Sequence, residues 1–197
     1  MSSNVASRLA APVKLAPFSK DQDGQRVLNV VIETVRGGRN KLAYDEELGI
    51  FRLKKVLPEG MSFPYDFGFV PGTRGGDGDP LDALVLMDAP GATGCLVTCR
   101  LLGVIRGTQK EAGKARRERN DRLIAVAMPS LVHSDLRRID DLNAELLRQV
   151  ERFFVNYHAE QGQTFRAEGH QGPREAWRLV DDGARAWGRP DAPRKAS

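Results

Sequence analysis

Two cysteines and three histidines are all that this 197-residue chain carries of the residue types that build thiolate cages and histidine-rich metal centres. Cys95 and Cys99 stand four apart. On a strand they share a face, but they lie too far apart along it for an unstrained disulfide. No further cysteine is present to complete a thiolate metal site. Two reduced, partly buried thiols are therefore expected. Aromatic residues make up only 7% of the chain. None interleaves with the basic runs Arg116-Arg117-x-Arg119 and Arg137-Arg138, so those runs lack the stacking platform that single-stranded nucleic acid requires. No apolar run approaches the length of a membrane span. Met1 to Pro17 is broken by Ser, Arg, Pro and Lys and does not read as a signal peptide. No internal repeat is seen. These absences lead to the expectation of a cytoplasmic protein without membrane or nucleic-acid partners.

What is present is ordinary for a globular enzyme: 41% hydrophobic residues, 28% charged residues and a net charge of +4. The length suits one domain with a sizeable core. Residues 1–24 read as a flexible arm, 25–187 as a single domain, and 188–197 as a disordered, Pro- and charge-rich tail. Short β-branched segments recur at Arg26 to Val35, Lys41 to Tyr44, Gly49 to Val56, Leu84 to Met87, Cys95 to Arg106 and Leu123 to Met128. Gly, Pro and Asp punctuate them, which favours a small closed or nearly closed β-barrel. Helices come late. Leu142, Leu146, Leu147, Val150, Phe153, Phe154 and Tyr157 follow a 3.6-residue stripe, with Asp140 or Asp141 as cap and Gly162 as stop. Residues 173–187 form a second amphipathic stretch that opens on Pro173.

The densest chemistry lies in Asp77-Gly78-Asp79-Pro80-Leu81-Asp82, three carboxylates in six residues. Pro80 opposes a regular helix. If the chain is extended, Asp77 and Asp79 share a face, and Asp82 joins them only through a bend near Pro80. Converging carboxylates repel unless cations sit between them, and Mg²⁺ or Mn²⁺ is the natural guest. A calcium loop of the EF-hand type is excluded, because Leu81 and Asp82 occupy its fifth position, which needs an acidic or amide ligand, and its sixth, which needs glycine. A solvated acidic turn between strands is the other reading of these six residues taken alone.

Upstream stands Phe63-Pro64-Tyr65-Asp66-Phe67-Gly68-Phe69-Val70-Pro71-Gly72. Together with the Asp-x-Asp-Pro-x-Asp run, this segment closely resembles family I soluble inorganic pyrophosphatase. The likeness continues in order through Val30-Val31-Ile32-Glu33, Arg39-Asn40-Lys41, Gly103-Val104-Ile105, Leu123-Ile124-Ala125-Val126 and Phe153-Phe154-x-x-Tyr157, covering residues 26–180. The resemblance implies an α+β, mainly β fold: a five-stranded distorted, OB-like barrel with two flanking C-terminal helices. It implies Mg²⁺-dependent hydrolysis of pyrophosphate to two phosphates by metal-activated water, with more than one ion per site and Mn²⁺ as a substitute. Asp77, Asp82 and Glu33 match metal positions, and Asp79 matches the general base. Lys41, Lys55, Arg122 and Tyr157 match groups that hold phosphate. A homo-oligomer, a hexamer in prokaryotic relatives, is also implied.

Several positions depart from the family pattern. Lys55 stands where arginine is usual, losing the bidentate fork, and Arg122 replaces a lysine. Ala43 replaces an acidic residue, Phe67 a tyrosine, and His158 a phosphate-binding lysine. The family carries a second metal-binding acidic pair before the Leu123 strand. Here the first member is Gln109 or Lys110, or has shifted to Glu111. Counting back from Arg122 puts Asn120 at the second, with Asp121 adjacent as the carboxylate expected to bind metal. The segment Glu111 to Arg119 reads as a flexible basic loop over the site. These departures keep open a divergent member that holds phosphate but turns it over poorly. A barrel that binds nucleic acid through its basic surface is a remoter alternative.

Overall fold

The structure, a computed structural model, describes residues 11–188. Among them β1 (Phe18–Lys20), β2 (Arg26–Thr34), β3 (Asn40–Asp45), β4 (Ile50–Val56), β5 (Asp66–Val70) and β6 (Leu81–Leu86) precede β7 (Leu96–Lys110). After β7 come β8 (Glu118–Arg119), β9 (Arg122–Ala127), helix α1 (Ala144–Ala159), β10 (Thr164–Gln171) and helix α2 (Pro173–Trp187). Five strands close a ring. β2 pairs with β5, β5 with β6, β6 with β9, β9 with β7, and β7 returns to β2. Only the β6–β9 pairing is parallel. Register shifts in β2–β5 and β7–β9 bend the ring away from a regular barrel. The expected mainly β fold, a distorted barrel with two C-terminal helices, is what the chain adopts. β7, at 15 residues, is long enough to serve β2, β9, β8 and β10 in turn. β3 and β4 form a separate hairpin.

The period of two along each strand divides the apolar side chains between two layers. Leu28, Val30, Ile32, Ala83, Val85, Leu123 and Ala125 gather in one cluster, joined by Ala176 and Val180 of α2. The alternate residues Leu84, Leu86, Ile124 and Val126 face a second cluster under α1, against Leu147, Val150 and Phe154. Burying each such side chain contributes roughly 1.5–3 kcal/mol, so both helices are held by packing rather than by propensity.

Three expectations are corrected. Helix α1 is capped not by Asp140 or Asp141 but by Asn143, whose side chain accepts from the Glu145 N–H. Asp141 instead closes the preceding turn by accepting from Arg137 N and Arg138 N, both at 2.8 Å. The described part of the expected arm is docked. Val13 is buried, β1 pairs with β2, and the Arg26 guanidinium lies over the rings of Phe18 and Trp177 while paired with Asp181. Cys95 precedes β7 and is exposed, whereas Cys99 is buried on it; both are free thiols. Residues 1–10 and the expected tail beyond Gly188 lie outside the described residues. The aromatic-Pro segment forms β5, buried along its whole length, and β10 lies where no strand was expected.

Gly68 permits the β2–β5 contact. A Cβ there would stand 1.9 Å from the Val31 carbonyl oxygen and 2.9 Å from Ile32 Cα. Backbone cannot yield as a side chain does, so Gly68→Ala should lower stability by about 3 kcal/mol or more. Urea denaturation of the two proteins measures this directly.

Candidate active site

The acidic run folds into a tight loop between β5 and β6. Thr73 Oγ1 donates to Val70 O at 2.6 Å and accepts from Leu81 N at 3.1 Å, tying the two ends together. Gly75 N donates to Asp79 O at 2.7 Å, and Asp79 N donates to Asp77 Oδ1 at 3.2 Å. Gly78 sits between the two aspartates with φ +94°, a conformation that favours glycine. Helix α2 supports the loop from behind: Arg74 N donates to Gly183 O at 3.0 Å. Asp77, Asp79 and Asp82 thereby line one cleft of about 630 Å³.

The parallel β6–β9 pairing sets the floor of the cleft. Its register matches Ala83 with Leu123, so Asp82 and Arg122, one step back on each strand, stand side by side. Their side chains pair at 2.6 Å between Nη1 and Oδ2. Arg122 is almost completely buried, with its guanidinium 5.1 Å from the Phe154 ring. Arg122 Nη1 also donates to Asn120 Oδ1, and Asn120 Nδ2 donates to Gln109 Oε1. The opposite wall comes from β2 and β3. Glu33 Oε2 pairs with Lys41 Nζ at 2.6 Å, and Glu33 Oε1 accepts from Tyr44 N at 3.0 Å. Tyr157 and His158, from α1, complete the cleft.

Electrostatics follow from this crowding. Burial, then the neighbouring Asp82 and Asp79 carboxylates, pushes the Asp77 carboxyl up to about 6. Burial raises the Tyr157 hydroxyl well above its usual range, with Asp82 adding to the effect. Burial lowers His158 to about 4, so its imidazole is neutral at pH 7. Its Nδ1 lies 3.0 Å from Gln163 Oε1. Burial, with Lys41 adding repulsion, lowers Lys55 to about 8. The Lys55 ammonium lies 3.9 Å from the centre of the Tyr157 ring.

Of the residues expected from sequence, Glu33, Lys41, Asp77, Asp79, Asp82, Arg122 and Tyr157 all line the cleft. Lys55 reaches it through Tyr157. Asp121 does not join them. Its carboxylate accepts from Gly107 N at 2.9 Å and pairs with Arg119 and Arg106 at 2.9 and 3.3 Å. In the short link between β8 and β9 its side chain takes these partners, while those of Asn120 and Arg122 line the cleft. Gln109 and Asn120 stand in the cleft, while Lys110 and Glu111 do not. The Glu111–Arg119 segment is not draped over the site either. Its end pairs with β7 as β8, and Arg117 Nη2 donates to Thr108 O at 2.9 Å. Sequence reasoning missed Arg52, Lys54 and Arg74, which also line the cleft. The alternation of Arg52 and Lys54 along β4 was the available signal.

The family model for inorganic pyrophosphatase matches residues 30–188. The chain belongs to the inorganic pyrophosphatase family. Among similar proteins, the inorganic pyrophosphatase of Nostoc sp. is 30% identical over 161 residues, covering 82% of this chain and 92% of that protein. That of Ralstonia nicotianae is 34% identical over 169 residues, covering 84% and 93%. The Thermus thermophilus pyrophosphatase structure aligns with TM-score 0.79 at 28% identity, covering 89% of this chain and 98% of the other. The Helicobacter pylori pyrophosphatase aligns with TM-score 0.77 at 31% identity, covering 87% and 98%.

Pyrophosphatases of this family need divalent cations. Among the described residues no three His, Cys, Asp or Glu side chains are arranged to hold one, and Asp82 is turned onto Arg122. The donor set nevertheless suits a hard cation: three carboxylates line one cleft, Asp77 is raised by burial and then by Asp82 and Asp79, and a cation among them would relieve their repulsion. Lys55 gives a testable pH effect. It is charged below about 8 and neutral above it, so its positive charge is present at low pH and fades as pH rises through 8. Lys55→Arg should remove that limb from the pH profile of phosphate affinity, measured by calorimetry.

Proposed function

We propose that this chain hydrolyses inorganic pyrophosphate to two orthophosphates with Mg²⁺, acting in the cytoplasm. The observation that carries this reading is one cleft in which Asp77, Asp79 and Asp82 face Lys41 and Arg122, in a chain of this family. Asp77 and Asp82 would hold Mg²⁺, with Mn²⁺ as a substitute, and Glu33 would serve from the opposite wall. When bound, such cations neutralise phosphate charge and acidify water. Asp79, exposed at the mouth of the cleft, accepts the proton of the attacking water. Lys41, Lys55 and Arg122 receive the charge that develops on the departing phosphate. The Tyr157 hydroxyl remains protonated at any working pH, since burial raises it, and donates to a phosphate oxygen.

Phosphate release from pyrophosphate, with and without Mg²⁺, tests this reading. Asp77→Asn and Asp82→Asn should each lower the rate by at least about 100-fold. Asp79→Asn should lose about 10²–10⁴-fold while retaining more Mg²⁺ affinity than Asp82→Asn. Full activity in any of the three, at equal folded content, removes that residue from the mechanism.

A second reading is favoured by one observation. Neutral Gln109 and Asn120 bond to each other in the cleft, so fewer carboxylates are available there for cations, and turnover would be weak. Under it, Asn120→Asp lowers the Mg²⁺ concentration needed for half-maximal rate. An unchanged midpoint, with wild type already saturated at low Mg²⁺, would leave the first reading alone.

A further inference from the structure

The bonds on the floor of the cleft run in one direction. A guanidinium has only donors, so Asn120 must turn its oxygen to Arg122 and its NH₂ to Gln109. Arg122 Nη1 carries the contacts to Asp82, to Asn120 and to the Asp121 carbonyl at 3.2 Å. Arg122 Nε is buried and has no hydrogen-bond partner. A cation lining an anion-binding cleft thus keeps one donor idle while its neighbour nitrogen is overcommitted. A buried donor without an acceptor is costly, and a phosphate oxygen would supply one in the paired geometry that guanidinium favours.

We propose that Gln109 and Asn120 are positioning residues that hold Arg122 on Asp82, so that Arg122 and a divalent cation compete for this carboxylate until phosphate draws the guanidinium away. The inference rests on the hydrolase reading above. While Arg122 covers Asp82, the charge a cation needs is already neutralised. Phosphate removes the competitor, so phosphate and cation bind with positive coupling. Linkage makes the effect reciprocal: the cation raises phosphate affinity by the same factor. Simple attraction between the two ligands would also couple them, but it would not depend on two uncharged amides.

Binding of Mn²⁺ to the full chain, followed by water-proton relaxation with and without saturating inorganic phosphate, tests this. Phosphate should tighten Mn²⁺ binding at least about 5-fold in wild type. Asn120→Leu changes no charge and keeps the branched heavy-atom shape while removing both hydrogen-bonding groups. It should tighten Mn²⁺ binding in the absence of phosphate by a similar factor and leave the phosphate-saturated value near wild type. Gln109→Met should act in the same direction by releasing the Asn120 amide, and it decides the matter if Asn120→Leu does not fold. Folded variants with unchanged Mn²⁺ affinity would make the amide pair structural only and overturn the proposal, as would the absence of any phosphate effect in wild type. Failure to release phosphate from pyrophosphate would sink the catalytic reading while leaving these binding measurements decisive for the inference.

Discussion

The parallel pairing of β6 with β9 is the constraint on which the site depends. The other contacts in the ring are antiparallel and could be laid down by hairpin-like returns. This one requires the chain to leave β6, run through all of β7 and come back in the same direction. The result is that the starts of β6 and β9 lie together at one end of the barrel. The end of the acidic loop and the amide–guanidinium chain both occur at those starts. A charge pair that looks like a local detail, Asp82 with Arg122, is therefore a product of topology.

The apolar layers then fix the angle at which these side chains are presented. Leu84 and Ile124 point under α1 while Ala83 and Leu123 point into the ring. Asp82 and Arg122 cannot exchange faces with their neighbours without turning one of these sets into water. The same helix that seals the outer layer carries Tyr157 and His158 into the cleft. Stability and site geometry are thus set by the same strand and helix faces, and a one-residue slip would damage both.

Much of this was legible in the chain itself. The α1 stripe follows from helical periodicity, the β2 and β9 strands from runs of apolar, β-branched residues, and the start of α2 from Pro173, while the ordered motifs from Glu33 to Tyr157 carried the family. What was not legible has physical reasons. β5 reads as an aromatic-Pro run because it is buried on both faces and shows no alternation. β10 consists largely of polar residues exposed at a sheet edge, so no hydrophobic pattern announces it. The choice between Asn120 and Asp121 depends on strand phase, and a loop of altered length before β9 hides that phase from any count. The Arg122–Asp82 pairing needs a tertiary neighbour and leaves no mark in the local sequence.

The contact between Arg74 and Gly183 bears on the order in which this molecule can be assembled. Gly183 also abuts Thr73 and Leu81, where an added Cβ would stand 3.2 and 3.0 Å from their side chains. The acidic loop is therefore wedged in place by a helix that follows all ten strands in chain order. The barrel strands can pair earlier, but the loop lacks its backing until α2 arrives. Until Ala176 and Val180 of α2 join the core, the spacing of the three carboxylates on that loop has no fixed support.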